Sequence, residues 1–363
     1  MKVCFVAHSV YPFFFSGLGY RGAGGAEYQQ KMIGLALSRR GFDVSFISFD
    51  LGQPDFHEQD GLVFIKSFRP DAGILGIRFF HPRLTKLWRA LKNADADIYY
   101  CRTAGFLPGI LAIFCRMYKK KFIFGGASDT DFMPGQHLIP TTRDIWLYHY
   151  GLRRSSAIVV QSNHQRTLLW KNFSLKGTVI RNLLLEENRD TSRREGRIIL
   201  WVSNIRRLKR PEEFIELAKA FPGEEFVMIG GPNSTDPAFS TEIERECSEV
   251  RNLRFLGFQP IEKTEYYFDK AKVLVNTSIN EGFPNTFLQA WSRGVPVLSY
   301  VDPDNVIREN GLGYIAESQE DLREKLSEFL RGTQLDAAQI QKYFNDNHST
   351  KVVDKYCDLL KRM

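Results

Sequence analysis

The residues best suited to do chemistry form a run of cations after a predicted strand. Residues 197–202 are apolar and β-rich, and a helix is expected to begin near Pro211, with acidic residues in its first turn. Between them stand four cations in five positions: Arg206, Arg207, Lys209 and Arg210. Arginine and lysine can neutralise a departing diphosphate without a metal ion. The run predicts a diphosphate clamp, although a solvated basic loop is the commoner fate of such runs.

A second segment of interest reads EGFPNTFLQAW and covers residues 281–291. It follows an apolar run at 273–276 and is predicted to open a helix. Backbone N–H groups at 283–286 would then point toward a ligand. Glu281 and Gln289 are eight positions apart, a little over two helical turns, so we expect both to address one ligand from one side.

A pair of glycines precedes the first predicted helix. Gly24 and Gly25 follow a long loop, and the helix is expected to continue to Arg39. Glycine lets the backbone approach a phosphate closely, and a helix start supplies N–H donors. Two glycines before a helix are nevertheless more often only a turn.

The elements that must position these residues alternate between short β-rich runs and helical patterns, which indicates parallel sheets built from βαβ units. One series of predicted strands covers residues 2–7, 43–48, 63–67, 97–101, 121–124, 157–161 and 178–180. A second series covers residues 197–202, 225–229, 253–256, 273–276, 297–299 and 313–315. We therefore predict an α/β protein with a doubly wound sheet in each half and ligands at the carboxyl ends of the strands.

The polar stretch between the two series marks the expected domain boundary. We predict an N-terminal domain at 1–185, a linker at 186–196 and a second domain at 197–349. The last helical pattern, 350–363, is expected to pack back on the N-terminal domain. Ligands would bind in the cleft between the two domains.

Composition narrows the possible function classes. The five cysteines are scattered and predict free thiols rather than disulfides or a zinc site. We see no signal peptide and no apolar stretch long enough to span a bilayer, so a cytoplasmic protein is expected. Residues 1–185 carry 24 Lys and Arg against 12 Asp and Glu, whereas the rest of the chain is net acidic. A basic first half suggests an acidic partner, unless it is only a solvated surface.

The segment 281–291, with the GVPV that follows it, resembles the EGFG-x4-EA motif of the family-4 retaining glycosyltransferases. Other segments are similar to the family's motifs in the same order: GGAE at 24–27, TVIRN at 178–182, WVSNIRRLKRP at 201–211 and NLRFLGFQP at 252–260. The resemblance covers nearly the whole chain. It implies the GT-B fold, in which two Rossmann-like domains face each other across a cleft.

The resemblance also implies roles for individual residues. Lys209 would bind the diphosphate, assisted by Arg206, while Glu281 and the neighbouring Gly282 would hold the donor sugar. The remaining donor-binding positions would be Gly24, Gly25, Asn204, Phe258, Gln259, Phe283, Pro284, Asn285, Thr286 and Gln289. The implied donor is a UDP- or GDP-linked sugar, with no metal and no further cofactor. The implied acceptor is a glycan, either free or linked to a lipid, in the synthesis of a cell-surface polysaccharide or glycoconjugate.

Three positions depart from the family pattern. Asn204 stands where the family has a clamp arginine, and Gln289 stands where a glutamate binds ribose. The usual histidine after the strand at 121–124 is absent, and Asp129 is the candidate to replace it, with capping of the loop as an equal alternative.

Other functions remain open from the sequence. Asp129 and Asp131 form the best of three Asp-x-Asp triplets, which hold a cation in metal-dependent, single-domain glycosyltransferases. A nucleotide-sugar 2-epimerase shares the two-domain architecture, and a sugar-binding protein without catalysis is a third possibility. Basic charge alone also fits a nucleic-acid binder, but no nucleic-acid motif accompanies it, so we expect none.

A basic amphipathic segment raises the question of a membrane. In residues 82–92, Leu84, Leu87, Trp88 and Leu91 form one apolar stripe and four cations surround it. Such a helix could lie on an anionic bilayer, and the stripe could equally pack against the domain's own sheet. We expect peripheral, salt-sensitive association with the inner face of the cytoplasmic membrane.

Overall fold

The computed structural model describes residues 1–15, 24–74, 76–136, 139–185, 196–233, 235–332 and 335–363. Contacts divide the chain into two compact units, Met1–Leu185 with Thr350–Met363, and Glu186–Ser349. Each unit is a mixed α/β structure on its own sheet, as the alternating pattern predicts. The predicted linker, apart from Gly196, lies outside the described residues.

The first unit has an eight-stranded sheet in the order β3-β4-β2-β1-β5-β6-β7-β8. Its strands are β1 (Lys2–Val6), β2 (Asp43–Ser48), β3 (Phe56–Gln59), β4 (Leu62–Lys66), β5 (Ile98–Arg102), β6 (Lys121–Gly125), β7 (Ala157–Val160) and β8 (Thr178–Val179). Its helices before the second unit are α1 (Gly25–Ser38), α2 (Thr85–Ala94), α3 (Leu107–Tyr118), α4 (Thr142–Arg154) and α5 (Asn163–Phe173). The central strands are buried on both faces, which explains their continuous apolar runs.

The second unit has a six-stranded, all-parallel sheet in the order β11-β10-β9-β12-β13-β14. Its strands are β9 (Ile198–Val202), β10 (Glu225–Ile229), β11 (Leu253–Phe255), β12 (Ala271–Asn276), β13 (Val297–Ser299) and β14 (Gly313–Ile315). Its helices are α6 (Pro211–Ala220), α7 (Pro237–Ser248), α8 (Ile261–Lys270), α9 (Asn285–Trp291), α10 (Val306–Asn310), α11 (Gln319–Leu330) and α12 (Ala337–Asn347). The predicted start of α6 at Pro211 is confirmed.

Strand β3 has no counterpart among the predicted strands. It pairs antiparallel with β4, with Phe56 opposite Ile65, and forms the edge of the sheet. Its sequence FHEQ is mostly exposed and contains no apolar run. An edge strand needs no buried face, so the periodicity of the sequence carries no signal for it.

The C-terminal helix α13 (Lys351–Lys361) belongs to the first unit. Val352, Val353 and Tyr356 are buried, and the Tyr356 ring lies 6.5 Å from that of Tyr100 on β5. Apolar burial of one helix face therefore holds the end of the chain against the first sheet.

The apolar stripe of helix α2 packs against the core of the first unit. Leu87 and Leu91 are fully buried, and the half-buried Trp88 ring lies 5.1 Å from Phe114 of α3. Packing of the stripe on the domain's own core is confirmed, so contact of the stripe with a bilayer is wrong. The cations Lys86, Arg89 and Lys92 remain exposed.

Two further expectations concern the state of the cysteines and the presence of a membrane-spanning helix. All five cysteines are buried free thiols, as expected from their scattered positions. Within the described ranges, no helix has the length and apolarity that a membrane span requires.

Candidate active site

The structure divides the four cations after β9 into two pairs. Arg207 Nε lies 3.0 Å from Asp236 Oδ2, and its guanidinium carbon lies 4.4 Å from the Phe239 ring centroid. Arg210 Nη1 lies 2.9 Å from Glu213 Oε1. These two arginines are neutralised by carboxylates of their own unit, so they are poorly suited to bind an anion.

Lys209 and Arg206 are placed differently. The Lys209 ammonium donates a hydrogen bond to Glu281, and both side chains are largely buried, at 15% and 18% exposure. An ammonium has three donors, and this contact uses one of them. Arg206 is exposed, and its side chain has no hydrogen-bond or ion-pair partner in the described part of the chain. The loop thus offers one unpaired guanidinium, three positions before the lysine of the lysine–glutamate pair.

A buried threonine fixes this loop against the sheet. The Thr277 hydroxyl donates to the Lys209 carbonyl at 2.6 Å and accepts from Trp201 Nε1 at 2.9 Å. The backbone N–H of Ile279 also donates to the Leu208 carbonyl at 3.1 Å. Because β9 and β12 are neighbours in the sheet, their loops meet at its carboxyl edge. Thr277 was missed from sequence, although a hydroxyl directly after a buried strand was an available signal.

The helical relation predicted between Glu281 and Gln289 is wrong. Helix α9 begins at Asn285, with Pro284 before it, so Glu281 and Gly282 lie in the preceding loop. Counting turns between Glu281 and Gln289 therefore has no structural basis. Glu281 is instead positioned by its contact with Lys209.

Two positions of this segment have clear packing. Phe283 is 4% exposed, and its ring lies 4.8 Å from His348 and 6.1 Å from Trp291, which anchors the start of α9. Gln289 is buried, and its backbone carbonyl accepts from Arg293 Nη1 at 2.9 Å. The side-chain amide of Gln289 has no partner among the described residues, so a ligand can use it.

Phe258 and Gln259 follow β11 at the same edge of the sheet. Phe258 is 38% exposed, and a Cβ on Gly231 would approach its ring to 3.1 Å, so glycine permits this packing. The Gln259 amide donates to the Leu256 carbonyl at 2.7 Å. The Phe258 side chain is therefore partly exposed to solvent, whereas the Gln259 amide hydrogen-bonds within its own turn. Asn204, after β9, has no described partner.

In the first unit, the glycine pair begins α1 as predicted, and a carboxylate lies beside it. Gly24 is extended and Gly25 is the first helical residue. Glu27 Oε2 lies 3.0 Å from the position that a Cβ on Gly24 would take. Burial raises the pKa of Glu27, while hydrogen bonds from the backbone of Glu27 and Gly24 act against that rise. A phosphate at this helix start would have to displace or protonate Glu27.

The Asp129–Asp131 triplet has two unlike carboxylates. Asp131 accepts from the N–H groups of Ala127, Ser128 and Ala104 at 2.7, 3.2 and 3.3 Å, so Asp131 caps the loop. Asp129 accepts from Gln165 Nε2 at 3.1 Å. Asp131 could share a cation with Asp129 only by giving up these bonds. Among the described residues, no group of three or more His, Cys, Asp or Glu is placed to hold a metal.

Two family models together match most of the chain. Residues 186–345 match the model of the glycosyl transferases group 1, and residues 23–183 match the model of Glycosyltransferase Family 4. The chain belongs to the family-4 glycosyltransferases of the GT-B fold.

Solved structures of this fold align over the full chain. Sucrose-phosphate synthase of Thermosynechococcus elongatus is 17% identical with a TM-score of 0.77, covering 100% of this chain and 98% of the other. HepE of Anabaena, in complex with UDP and glucose, is 15% identical with a TM-score of 0.76 and full coverage of both chains. At such identities the likeness establishes the fold alone.

Curated relatives match over shorter stretches. Glycosyltransferase 1 domain-containing protein 1 of Xenopus tropicalis is 24% identical over 45% of this chain. D-inositol 3-phosphate glycosyltransferase of Mycobacteroides abscessus is 23% identical over 30% of it. The matches span half of the first relative's length and a quarter of the second's.

Membership gives the Lys209–Glu281 contact a specific meaning. The resemblance assigns these two residues to the diphosphate and the donor sugar, and the structure brings the side chains together. Asn204 and Gln289 differ from the family pattern, and neither side chain has a partner among the described residues. The roles of the individual site residues remain predictions.

Proposed function

We propose that this glycosyltransferase transfers a sugar from a nucleoside diphosphate donor to an acceptor hydroxyl with retention of configuration and without a metal ion. The observation that carries the proposal is the largely buried Lys209–Glu281 pair, in a loop where the Arg206 side chain has no partner among the described residues. The UDP and glucose in the HepE complex support a UDP-sugar as the first donor to test.

In the proposed mechanism, Lys209 and Arg206 stabilise the negative charge that develops on the departing diphosphate. Glu281 accepts hydrogen bonds from hydroxyls of the donor sugar, and the amide of Gln289 binds the ribose. The acceptor hydroxyl attacks on the face from which the diphosphate leaves, which retains the anomeric configuration. Backbone groups of residues 283–286 complete the donor contacts that the second unit provides.

Asp129 is the proposed substitute for the family's N-domain histidine. It accepts a hydrogen bond from the Gln165 amide and lies 3.7 Å from His164 Nε2, measured from Asp129 Oδ2. Its partial exposure allows it to meet a donor sugar or acceptor. Asp129→Asn should reduce turnover without the loss of stability expected from Asp131→Asn, since only the latter loses the bonds from Ala127, Ser128 and Ala104.

A donor screen followed by product analysis tests the reaction. Among UDP-, GDP- and other sugar nucleotides, the true donor should raise the melting temperature by mass action. Proton NMR of the product with that donor should show the donor's anomeric configuration, and EDTA should leave the rate unchanged. Inverted product or an absolute need for a divalent cation would refute the mechanism. Isomerised nucleotide sugar without acceptor would favour a 2-epimerase, and binding with no consumption would favour a sugar-binding protein.

We also propose peripheral association of this enzyme with anionic membranes through the exposed cations of α2. Lys86, Arg89 and Lys92 stand on the face of α2 opposite the buried Leu87 and Leu91. Each cation near an anionic surface adds about 1 kcal/mol. Such an enzyme would act on a lipid-linked glycan acceptor at the cytoplasmic face.

Liposome co-sedimentation tests this second proposal. The chain should bind vesicles with anionic lipid at low salt and release them at high salt. Replacing Lys86, Arg89 and Lys92 by glutamine should abolish binding. As a matched control, replacing the exposed Arg251, Lys263 and Lys342 of the second unit by glutamine should leave vesicle binding intact. Equal loss in both triple variants, or no binding at low salt, would reject the α2 surface.

A further inference from the structure

The first unit contains a cavity of about 400 Å³ with arginines in its wall. Its lining includes Arg78, Arg83 and Arg143, with Phe79 and Phe106 as aromatic walls. Phe106 follows β5, so the cavity lies near the carboxyl edge of the first sheet, where open α/β sheets bind ligands.

Two of the three arginines around this cavity form no ion pair among the described residues. Arg83 donates to the carbonyls of Pro70 and Ala72 at 2.6 and 3.3 Å, which are neutral acceptors, and Asp71 acts on its charge without forming an ion pair with it. The Arg78 side chain has no hydrogen-bond or ion-pair partner in the described part of the chain. Within the described ranges, the cavity wall therefore contains two guanidiniums without a direct carboxylate partner.

The third arginine is paired but stays available. Arg143 Nε lies 2.8 Å from Asp144 Oδ1, and its guanidinium carbon lies 3.6 Å from the Phe79 ring centroid. Its side chain is 45% exposed and keeps further donors. Thr141, the N-cap of α4, also lines the cavity, so the positive end of that helix adds to the potential.

Two like charges lie close together in the wall of this cavity. Burial and then the nearby Arg78 lower the pKa of Arg83, while Asp71 acts against them, so the two cations disfavour each other. The backbone of Arg78 donates to the Ile74 carbonyl at 2.8 Å, but its guanidinium has no partner among the described residues. Placement of cations without a direct carboxylate partner around a cavity is typical of an anion site.

We propose that the arginine cavity binds the phosphate monoester of a sugar phosphate, as the anionic part of the acceptor. Two guanidiniums without an ion pair among the described residues match a dianion, and guanidinium forks suit phosphate oxygens. The rings of Phe79 and Phe106 suit the apolar face of a sugar, and the volume fits a small ligand. This inference rests on the proposed transferase function, because it assigns the site to the acceptor.

Calorimetry on the full chain tests the site with D-glucose 6-phosphate as the probe and D-glucose as its uncharged counterpart. Saturating UDP is present to occupy the donor site. The phosphate ester should bind at least about tenfold more tightly than glucose. Arg78→Gln and Arg143→Gln should each weaken that binding by about tenfold or more, the usual effect of losing a charge-assisted bond. Arg116→Gln, which removes an exposed arginine of α3 outside the cavity, should not.

A second arm identifies the source of the phosphate. Vesicles containing phosphatidate present a phosphate monoester on a lipid, and Arg78-dependent binding to them alone would mean that the acceptor phosphate is lipid-borne. Binding of neither probe, or binding unchanged in both Arg78→Gln and Arg143→Gln, overturns the proposal. UDP titration separates the arginine-cavity proposal from the proposed transferase function. If the wild type does not bind UDP, the donor site is refuted, and phosphate binding in the cavity is then measured without UDP.

Discussion

The molecule contains two clusters of cations that arise in opposite ways. The loop after β9 gathers four cations from five consecutive positions, yet Arg207 and Arg210 are neutralised by Asp236 and Glu213. The arginine cavity brings Arg143 to Arg78 and Arg83, which are about sixty positions earlier in the chain, and among the described residues only Arg143 of these three forms an ion pair with a carboxylate. Proximity in sequence therefore overstates the charge that a ligand can meet, and folding creates charge that sequence proximity does not reveal.

The largest effect should come from the buried pair of the first cluster. Lys209→Ala removes the ammonium that faces the diphosphate and leaves Glu281 largely buried without its cation. Loss of one preorganised charge should lower kcat on the order of a hundredfold or more. Steady-state turnover of the donor sugar measures this effect. A change below about fivefold, in a variant whose melting temperature is unchanged, would contradict the clamp.

A histidine near the cavity cluster, His8, should make the free energy of unfolding depend on pH. Burial and then Arg83 lower the pKa of His8 to about 4. An unfolded histidine titrates near 6.5, so below that pH the unfolded chain takes up a proton that the native protein refuses. The contribution of His8 is complete above pH 6.5 and is lost as the pH falls toward 4, by up to about 3 kcal/mol.

Denaturant unfolding between pH 7.5 and 4 measures this loss. The control is His8→Phe, which keeps an aromatic ring against Phe49, whose centroid lies 4.5 Å from that of His8. The variant should lose less stability than the wild type over the same range. Identical pH dependence in the two proteins would show that His8 does not carry the effect.

Arg206 and Arg207 sharpen the comparison within one loop. Arg206 has no described partner, whereas Arg207 is held by Asp236 and Phe239. Arg206→Ala should lower kcat/KM by about tenfold to a hundredfold, because the loop has no other free guanidinium among its described residues. Arg207→Ala should change kcat/KM by less than about threefold. The reverse order would mean that Arg207 leaves Asp236 when the donor binds.

Much of the fold could be predicted because buried parallel strands are apolar along their whole length. The strands at 43–48, 225–229, 297–299 and 313–315 have the predicted bounds. Strand β3 was missed because it is exposed and polar, and its position depends on pairing with β4. Pairing at an edge is a tertiary property, which local periodicity does not carry.

The candidate site was predicted as a set of segments rather than as contacts. The sequence indicated that Lys209 and Glu281 serve one ligand, but their mutual contact depends on β9 and β12 being neighbours. For the same reason the pairing of Arg207 with Asp236 and the capping role of Asp131 were not visible. Carboxylates and cations acquire roles from their neighbours, and sequence fixes those neighbours only through the fold.

The smallest effect should come from Gln289, the family departure that no side chain of the described protein engages. If its amide binds the ribose, Gln289→Ala should weaken UDP binding by about threefold to tenfold, as expected for one uncharged hydrogen bond. Gln289→Glu restores the family residue, and a carboxylate can accept from both ribose hydroxyls, so UDP affinity should be preserved or tightened. Calorimetry with UDP and GDP provides both values. A large loss of affinity for both nucleotides in Gln289→Glu would mean that Gln289 donates, rather than accepts, the hydrogen bond that matters, and so does not hold the ribose as the family's glutamate does.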